Sequence, residues 1–205
     1  MSRHERRYQK YLERQQRKHG SRATGSGEAL ASPAQVANAV NSPIHEALVP
    51  SKLFELGMGT LLFSRLLPDG RIAMAGFLVD MYCLGVKNAF IAIVPKAEYP
   101  MRRSNLSSKE NLQPTEPTCL RKLVEGSVAY AQDLGFSPHR DYALASQIFG
   151  DVQVADCSTR FEYGHDGKPF YVSGPNETEA QVQAILAQLR RRVGEGNYDY
   201  LVLAG

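Results

Sequence analysis

The sequence has few cysteines and no long apolar run, and both shortages limit what the protein can be. Its three cysteines, Cys83, Cys119 and Cys157, are an odd number at wide spacing. We therefore expect free thiols and a reducing compartment rather than a disulfide framework. Charged residues such as Asp80 and Lys87 interrupt the longest apolar stretches before the roughly 18 residues that a membrane-spanning helix needs. No membrane association is predicted.

Motifs of well-defined chemistry are also missing. The sequence contains no Walker-type phosphate loop, no Gly-x-Ser-x-Gly elbow, no Cys-x-x-Cys pair and no His-Glu-x-x-His pair. Its five histidines are scattered, which disfavours a dedicated zinc site. The charged start at residues 1–7 leads into no apolar segment, so we expect no secretory signal and predict a cytoplasmic location. These shortages favour a protein that is not an enzyme and uses no cofactor.

What the sequence does have is positive charge concentrated near its start. Residues 1–22 hold eight Lys and Arg against two acids, a net charge of +6, whereas the whole chain carries +3. The remaining residues therefore sum to −3. A basic arm on a mildly acidic body is typical of an appendage that binds nucleic acid or an acidic protein surface. The predicted polyanion-binding residues are Arg3, Arg6, Arg7, Lys10, Arg14, Arg17 and Lys18.

Composition divides the chain into three parts. The arm over 1–22 has three apolar residues at helical spacing, so a helix is compatible with its sequence. A Gly- and Ser-rich stretch over 23–32 is predicted to be a flexible linker. The remainder, 33–205, is predicted to form a single α+β domain. It opens with two Ser-Pro pairs, which are typical helix starts and predict short helices over 33–40 and 43–49.

The strand signals predict two β-hairpins and further strands. Residues 59–67 and 71–82 flank the turn sequence Pro68-Asp69-Gly70. The second of these strands is apolar at both alternating positions, which predicts a strand covered on both faces. The other strand predictions are a hairpin formed by 160–163 and 168–173 around the turn His165-Asp166-Gly167, and single strands over 89–94 and 200–203.

Three longer helices are predicted from apolar periodicity and end signals. They cover 118–134, about 138–149 and a last segment that ends at Gly194, with a capping box from Asn176 and Glu179 before it. Residues 96–117 contain three prolines and are predicted to be a long polar loop. Strands joined by tight turns and segregated from helices indicate an α+β fold with a mainly antiparallel sheet.

Asp80 is the candidate site residue of greatest interest, because it lies at the end of a strand predicted to be buried. A buried charge needs a partner or a metal ion. In one hypothesis Asp80 holds a divalent metal ion with His139, Asp141 or Asp151, as in a metal-dependent nuclease or hydrolase. In the structural alternative Asp80 caps the following turn or pairs with Lys87.

A second candidate is the predicted helix start over 138–142, where free backbone N–H groups, a histidine and an arginine could bind an anion. We weigh three functions. The preferred one is a non-catalytic binding or accessory module whose arm engages nucleic acid or an acidic protein surface. The alternatives are the metal-dependent enzyme centred on Asp80 and an anion-binding protein centred on 138–142.

Overall fold

The structure, a computed structural model, describes residues 31–107, 110–174 and 177–202. The predicted arm at 1–22 and most of the predicted linker lie outside these residues. The described part combines helices with a mainly antiparallel sheet, which confirms the predicted fold class. Ala31 is buried at its start, and its N–H donates to the carbonyl of Ile91 at 3.0 Å.

The elements are named α1 to α6 and β1 to β7 in chain order. They are α1 (Pro33–Ala39), β1 (Ile44–Pro50), α2 (Leu53–Leu56), β2 (Met58–Leu66), β3 (Ile72–Asp80), β4 (Gly85–Val94), α3 (Tyr99–Ser107), β5 (Leu112–Pro114), α4 (Pro117–Asp133), α5 (Tyr142–Ala145), β6 (Phe170–Val172), α6 (Glu179–Val193) and β7 (Asp199–Leu201). Two short 3₁₀-helices, Ser146–Phe149 and Val154–Asp156, lie between α5 and β6. No helix among these described elements is long and apolar enough to cross a membrane.

The main sheet has five strands in the order β4-β3-β2-β1-β5, and each neighbouring pair is antiparallel. The hairpin predicted around residues 68–70 is confirmed as β2 and β3. Strand β3 is buried along nearly its whole length, as its apolar pattern predicts, because layers cover both faces of the sheet. One face packs against α1, α4 and the first 3₁₀-helix, and the other packs against α3.

Strand β1 replaces the second predicted short helix. Residues 43–49 were expected to be helical because Ser42 and Pro43 form a typical helix start, but this segment pairs with β2. The carbonyl of Ser42 accepts a hydrogen bond from Arg65 at 2.6 Å instead of entering a helix. Both faces of β1 are covered near its end, so its apolar residues are contiguous and carry no alternating strand signal.

The expectation of a long loop over 96–117 is also wrong, because this segment contains α3 and β5. Helix α3 is anchored through Tyr99, which is buried on the sheet. Its hydroxyl donates to Glu46 Oε2 at 2.8 Å and lies 3.0 Å from Ser64 Oγ. A helix held by one phenol and few apolar side chains lacks the periodic stripe on which sequence prediction depends.

The second predicted hairpin is wrong in its pairing. A tight turn exists, with positive φ at Asp166 and Gly167 and a bridge between His165 and Lys168. However, the strand after it, β6, pairs in parallel with β7. Helix α6 connects the two strands, which is the crossover that a parallel pair requires. Its capping box is formed by Thr178 and Gln181 rather than by the predicted residues.

Two further expectations need correction. The helix expected over 138–149 is a single turn, α5, followed by a 3₁₀-helix. The guanidinium of Arg65 donates to the carbonyls of the last two residues of this 3₁₀-helix, Ile148 and Phe149.

Cys119 and Cys157 form a disulfide, so the expectation of free thiols is wrong for this pair. Cys83 is free and buried. The bridge joins residues 38 positions apart, a proximity that arises only when the second 3₁₀-helix packs on α4.

Gly85, at the start of β4, permits a close approach between the sheet and α4. Its φ is +66°, and an added Cβ would lie 2.8 Å from both the Ser127 carbonyl oxygen and the Ala131 Cβ. We expect Gly85→Ala to lower the free energy of unfolding by about 2–5 kcal/mol, from left-handed strain and overpacking together. Gly70→Ala is the matched control, because Gly70 has φ +81° in open space and should cost only about 1–2 kcal/mol. Equal losses in urea unfolding would contradict the packing argument.

Candidate functional site: the buried Asp80 turn

Asp80 ends β3 and organises the turn that leads into β4. Its side chain is buried, with 3% of the residue exposed. Oδ1 accepts the backbone N–H groups of Tyr82 and Cys83, both at 3.0 Å, and Oδ2 accepts that of Leu84 at 3.2 Å. The carboxylate thus satisfies three consecutive donors that the turn withdraws from the sheet. This arrangement agrees with the structural alternative, in which Asp80 caps the following turn.

Two opposing effects act on the pKa of Asp80. Burial raises the pKa of the carboxyl group, whereas the positive charge of Lys87 and the three N–H donors act in the other direction, with burial the larger effect. Burial, with Asp80 nearby, also raises the pKa of the Cys83 thiol, so this cysteine is far from the thiolate form that a nucleophile needs. Cys83 is therefore not activated as a nucleophile in this turn.

Lys87 bonds to Glu177 rather than to Asp80. Its Nζ lies 2.9 Å from Glu177 Oε1, and both side chains are more than four-fifths buried. The Tyr171 hydroxyl donates to Glu177 Oε2, which also accepts the N–H of Gly174 at 3.0 Å. These contacts fasten the segment before α6 to β4. Sequence reasoning missed Glu177, because it contributes to no motif and lies 90 residues from its cation.

Burial alone would raise the pKa of Glu177, but the charge of Lys87 and the hydrogen bonds from Tyr171, Gly174 and Lys87 outweigh it, and the net shift is downward. Burial, together with the bond to Glu177, raises the pKa of the Tyr171 hydroxyl. Glu177 is thus held ionised and Tyr171 is held protonated, which suits the bond in which the phenol donates to the carboxylate.

His139 and Asp141 lie in the turn before α5. The backbone N–H of His139 donates to the Val86 carbonyl at 2.9 Å, which ties this turn to β4. His139 Nδ1 accepts the N–H of Asp141 at 3.3 Å and lies 3.7 Å from its Oδ2. The two side chains thus contact one another. Because α5 has four residues and begins at Tyr142, the long helix start on which the anion-binding hypothesis depended is not formed here.

Asp151 contacts a buried arginine that sequence reasoning missed. Arg65 is 3% exposed on β2, and its guanidinium donates to the carbonyls of Ser42, Ile148 and Phe149 at 2.6–2.7 Å. Its Nη2 also lies 3.3 Å from Asp151 Oδ1, while the Asp151 side chain is 85% exposed. Burial lowers the pKa of Arg65, and Asp151 opposes this effect. Arg65 thus joins β2 to the segment before β1 and to the 3₁₀-helix after α5.

The four predicted metal ligands have different partners and form no common site. Asp80 is bonded to its own turn, His139 and Asp141 contact one another, and Asp151 contacts Arg65. Within the described ranges, no group of three or more His, Cys, Asp or Glu side chains is arranged to hold a metal ion. The predicted polyanion-binding residues of the arm lie outside the described residues.

The chain matches no family model, no curated protein and no solved structure.

We expect Asp80→Asn to lower the free energy of unfolding by about 1–3 kcal/mol, because the amide NH₂ would replace one acceptor and face a backbone N–H donor. Asp69→Asn is the matched control. Asp69 also accepts a backbone N–H two residues on, from Arg71 at 3.0 Å, but its side chain is 51% exposed. Its replacement should change stability by less than about 0.5 kcal/mol. Equal effects in urea unfolding would contradict a special role for the buried turn.

The Lys87–Glu177 pair should make stability depend on pH in acid. Because the pKa of Glu177 is lower in the folded chain, its contribution is present above the unfolded-state pKa and is lost as pH falls through the folded-state value. A double-mutant cycle with Lys87→Gln and Glu177→Gln should give a coupling of about 1–3 kcal/mol at pH 7 that declines below about pH 4.

The exposed Arg190–Glu195 pair provides the control cycle for this measurement. Its side chains are 63% and 73% exposed, so solvent screening should keep the coupling below about 1 kcal/mol. A Lys87–Glu177 coupling as small as that of the control pair, or one that does not change with pH, would contradict the assigned role.

Proposed function

We propose that this chain is a non-catalytic binding module whose N-terminal arm engages a polyanion, nucleic acid in the first place. The observation that carries the proposal is the separation of charge along the sequence. Residues 1–22 carry +6 and the remaining residues carry −3. Closely spaced cations attract phosphate backbones without regard to base sequence, and release of counterions drives the binding.

The described residues support this proposal through the state of their reactive groups. The side chains of Asp80 and Arg65, which are buried, and of Glu177, which is largely buried, all form hydrogen bonds that hold elements together. In the described part of the chain, no cluster of metal-ligand side chains gathers around any of them. The alternative hypothesis of a metal-dependent nuclease or hydrolase therefore stays a prediction that no contact favours.

The proposed cellular location follows from the sequence alone. A cytoplasmic location remains the proposal. The cysteines do not support this location, since Cys119 and Cys157 are bonded to each other and disulfides are more common in oxidising compartments.

The test measures binding of the full chain to labelled duplex DNA and to single-stranded RNA by fluorescence anisotropy between low and moderate salt. Seven phosphate contacts from the predicted arm residues would give a log–log salt slope of about −6 for duplex DNA. A variant in which all seven cations are changed to Gln should lose at least about a hundredfold in affinity at low salt. Its melting temperature should stay nearly unchanged.

A matched control changes basic residues elsewhere. Helix α6 ends in Arg190, Arg191 and Arg192, which are all exposed. Changing these three to Gln should leave the affinity and the salt slope of the arm-dependent binding nearly intact. Equal binding by the seven-Gln variant and the full chain would overturn the proposal. Arm-dependent binding to polyglutamate but to neither nucleic acid would identify an acidic protein surface as the partner.

A further inference from the structure

The disulfide between Cys119 and Cys157 attaches a poorly structured segment to a long helix. Cys119 lies in the first turn of α4, and Cys157 lies in the segment Gly150–Arg160, here called the 150–160 segment. The only regular element within this segment is the short 3₁₀-helix Val154–Asp156. The bridge is thus a covalent contact between a rigid element and a stretch with little structure of its own.

Besides the bridge and the burial of Val152 in the core that α4 lines, the contacts of the 150–160 segment with α4 are made mainly by two cationic side chains. Arg121 Nη1 donates to the carbonyls of Gly150 and Val152 at 3.1 and 2.8 Å. Lys122 Nζ donates to the carbonyl of Cys157 at 2.7 Å. These are partly exposed side-chain bonds, each of modest strength in water.

The backbone of the segment pairs with no strand in the described structure. Its backbone N–H groups donate three residues back, from Gly150 to Gln147, from Val152 to Phe149, from Asp156 to Gln153 and from Cys157 to Val154. Local bonds of this kind do not depend on attachment to α4. The part of the segment after Val152 can therefore separate from the helix once the disulfide is broken, whereas Asp151 and Val152 stay held by Arg65 and by the main core.

The two cysteines differ in exposure. Cys119 is partly exposed, whereas Cys157 is 3% exposed. We therefore expect an incoming thiolate to attack at Cys119. Cys119 also lies where α4 presents free backbone N–H groups, which stabilise a thiolate when Cys119 later acts as the leaving group.

From this geometry we infer that Cys119–Cys157 is a redox-controlled latch on the 150–160 segment, opened by a dithiol reductant. One thiolate of the reductant attacks Cys119 Sγ, the Cys119–Cys157 bond breaks, and Cys157 leaves as a thiolate that takes a proton from water. The second thiolate of the reductant then attacks the reductant's own sulfur in the mixed disulfide and releases Cys119 as a thiolate. Two electrons pass from the dithiol to the cystine, and the reverse exchange with an oxidised dithiol closes the latch.

The closed and open states differ in what α4 and the 150–160 segment expose. In the closed state Arg121 and Lys122 are engaged with backbone carbonyls, and Val152 and Cys157 are buried. Opening releases both cations from these carbonyls, although Arg121 keeps its ion pair with Glu125, and it exposes the part of the segment after Val152 to solvent. The sheet reaches only the first residues of the segment, through Arg65 and Asp151 and through the core around Val152, and the cationic contacts and the bridge lie on α4. We therefore expect the sheet and the Asp80 turn to keep their structure in the reduced chain.

The test compares limited trypsin digestion of the full chain before and after treatment with dithiothreitol, with fragments identified by mass. Arg160 ends the 150–160 segment and is exposed, and cleavage after it reports the state of the latch. Arg140, whose side chain is 88% exposed, lies outside the segment and is the internal reference. Reduction should accelerate cleavage after Arg160 by about tenfold or more and leave cleavage after Arg140 unchanged, since only local opening is required.

Variants separate the latch from a general effect of thiol chemistry. Trypsin should cleave the Cys157→Ala variant rapidly after Arg160 with or without reductant. The Cys83→Ala variant should be cleaved at the same rates as the unchanged chain in both redox states. Three outcomes would overturn the inference: no difference at Arg160 between the two redox states, a chain that shows no bridge by mass before reduction, or equal acceleration at Arg140 and Arg160. The last outcome would mean that the disulfide supports the whole fold rather than one segment.

Discussion

The fold depends on how the chain reverses between β3 and the edge strand β4. A turn at this place withdraws backbone N–H groups from the ladder while packing covers them from water, and an unsatisfied buried donor is costly. The carboxylate of Asp80 accepts three of these donors in succession. Because Gly85 follows with positive φ, β4 can start at once and approach α4 closely. One acidic side chain thus sets the position of the strand against which the turn before α5 and the segment before α6 are fastened.

Buried polar groups perform the same task at other junctions. Arg65 reaches from β2 to the end of α1 and to the 3₁₀-helix that follows α5. Tyr99 joins α3 to the sheet, and Glu177 joins the β6-α6-β7 unit to β4. Each group lies where an element begins or ends and backbone bonding is incomplete. The apolar layers supply most of the burial, while these polar groups determine which elements lie next to one another.

The sequence predicts what local chemistry decides and misses what tertiary contacts decide. The hairpin around Pro68-Asp69-Gly70 and the helices α4 and α6 follow from turn residues and apolar periodicity, and the structure contains all three. Strand β1 was predicted to be a helix because a local cap signal favoured it, whereas pairing with β2 decided the outcome. The disulfide and the Lys87–Glu177 pair join residues 38 and 90 positions apart, and no local pattern announces either.

At the candidate site, too, local pattern predicts part of the structure and tertiary contacts decide the rest. That Asp80 lies on a buried strand follows from the apolar residues around it, and its burial is confirmed. What the carboxylate does there depends on the path of the next four residues, which one sequence does not determine. A carboxylate that already accepts three backbone donors would have to give up part of this bonding to bind an ion, so catalysis at Asp80 would compete with the turn that positions β4. This competition favours a structural role for Asp80, and the proposal of function therefore rests on the distribution of charge along the sequence.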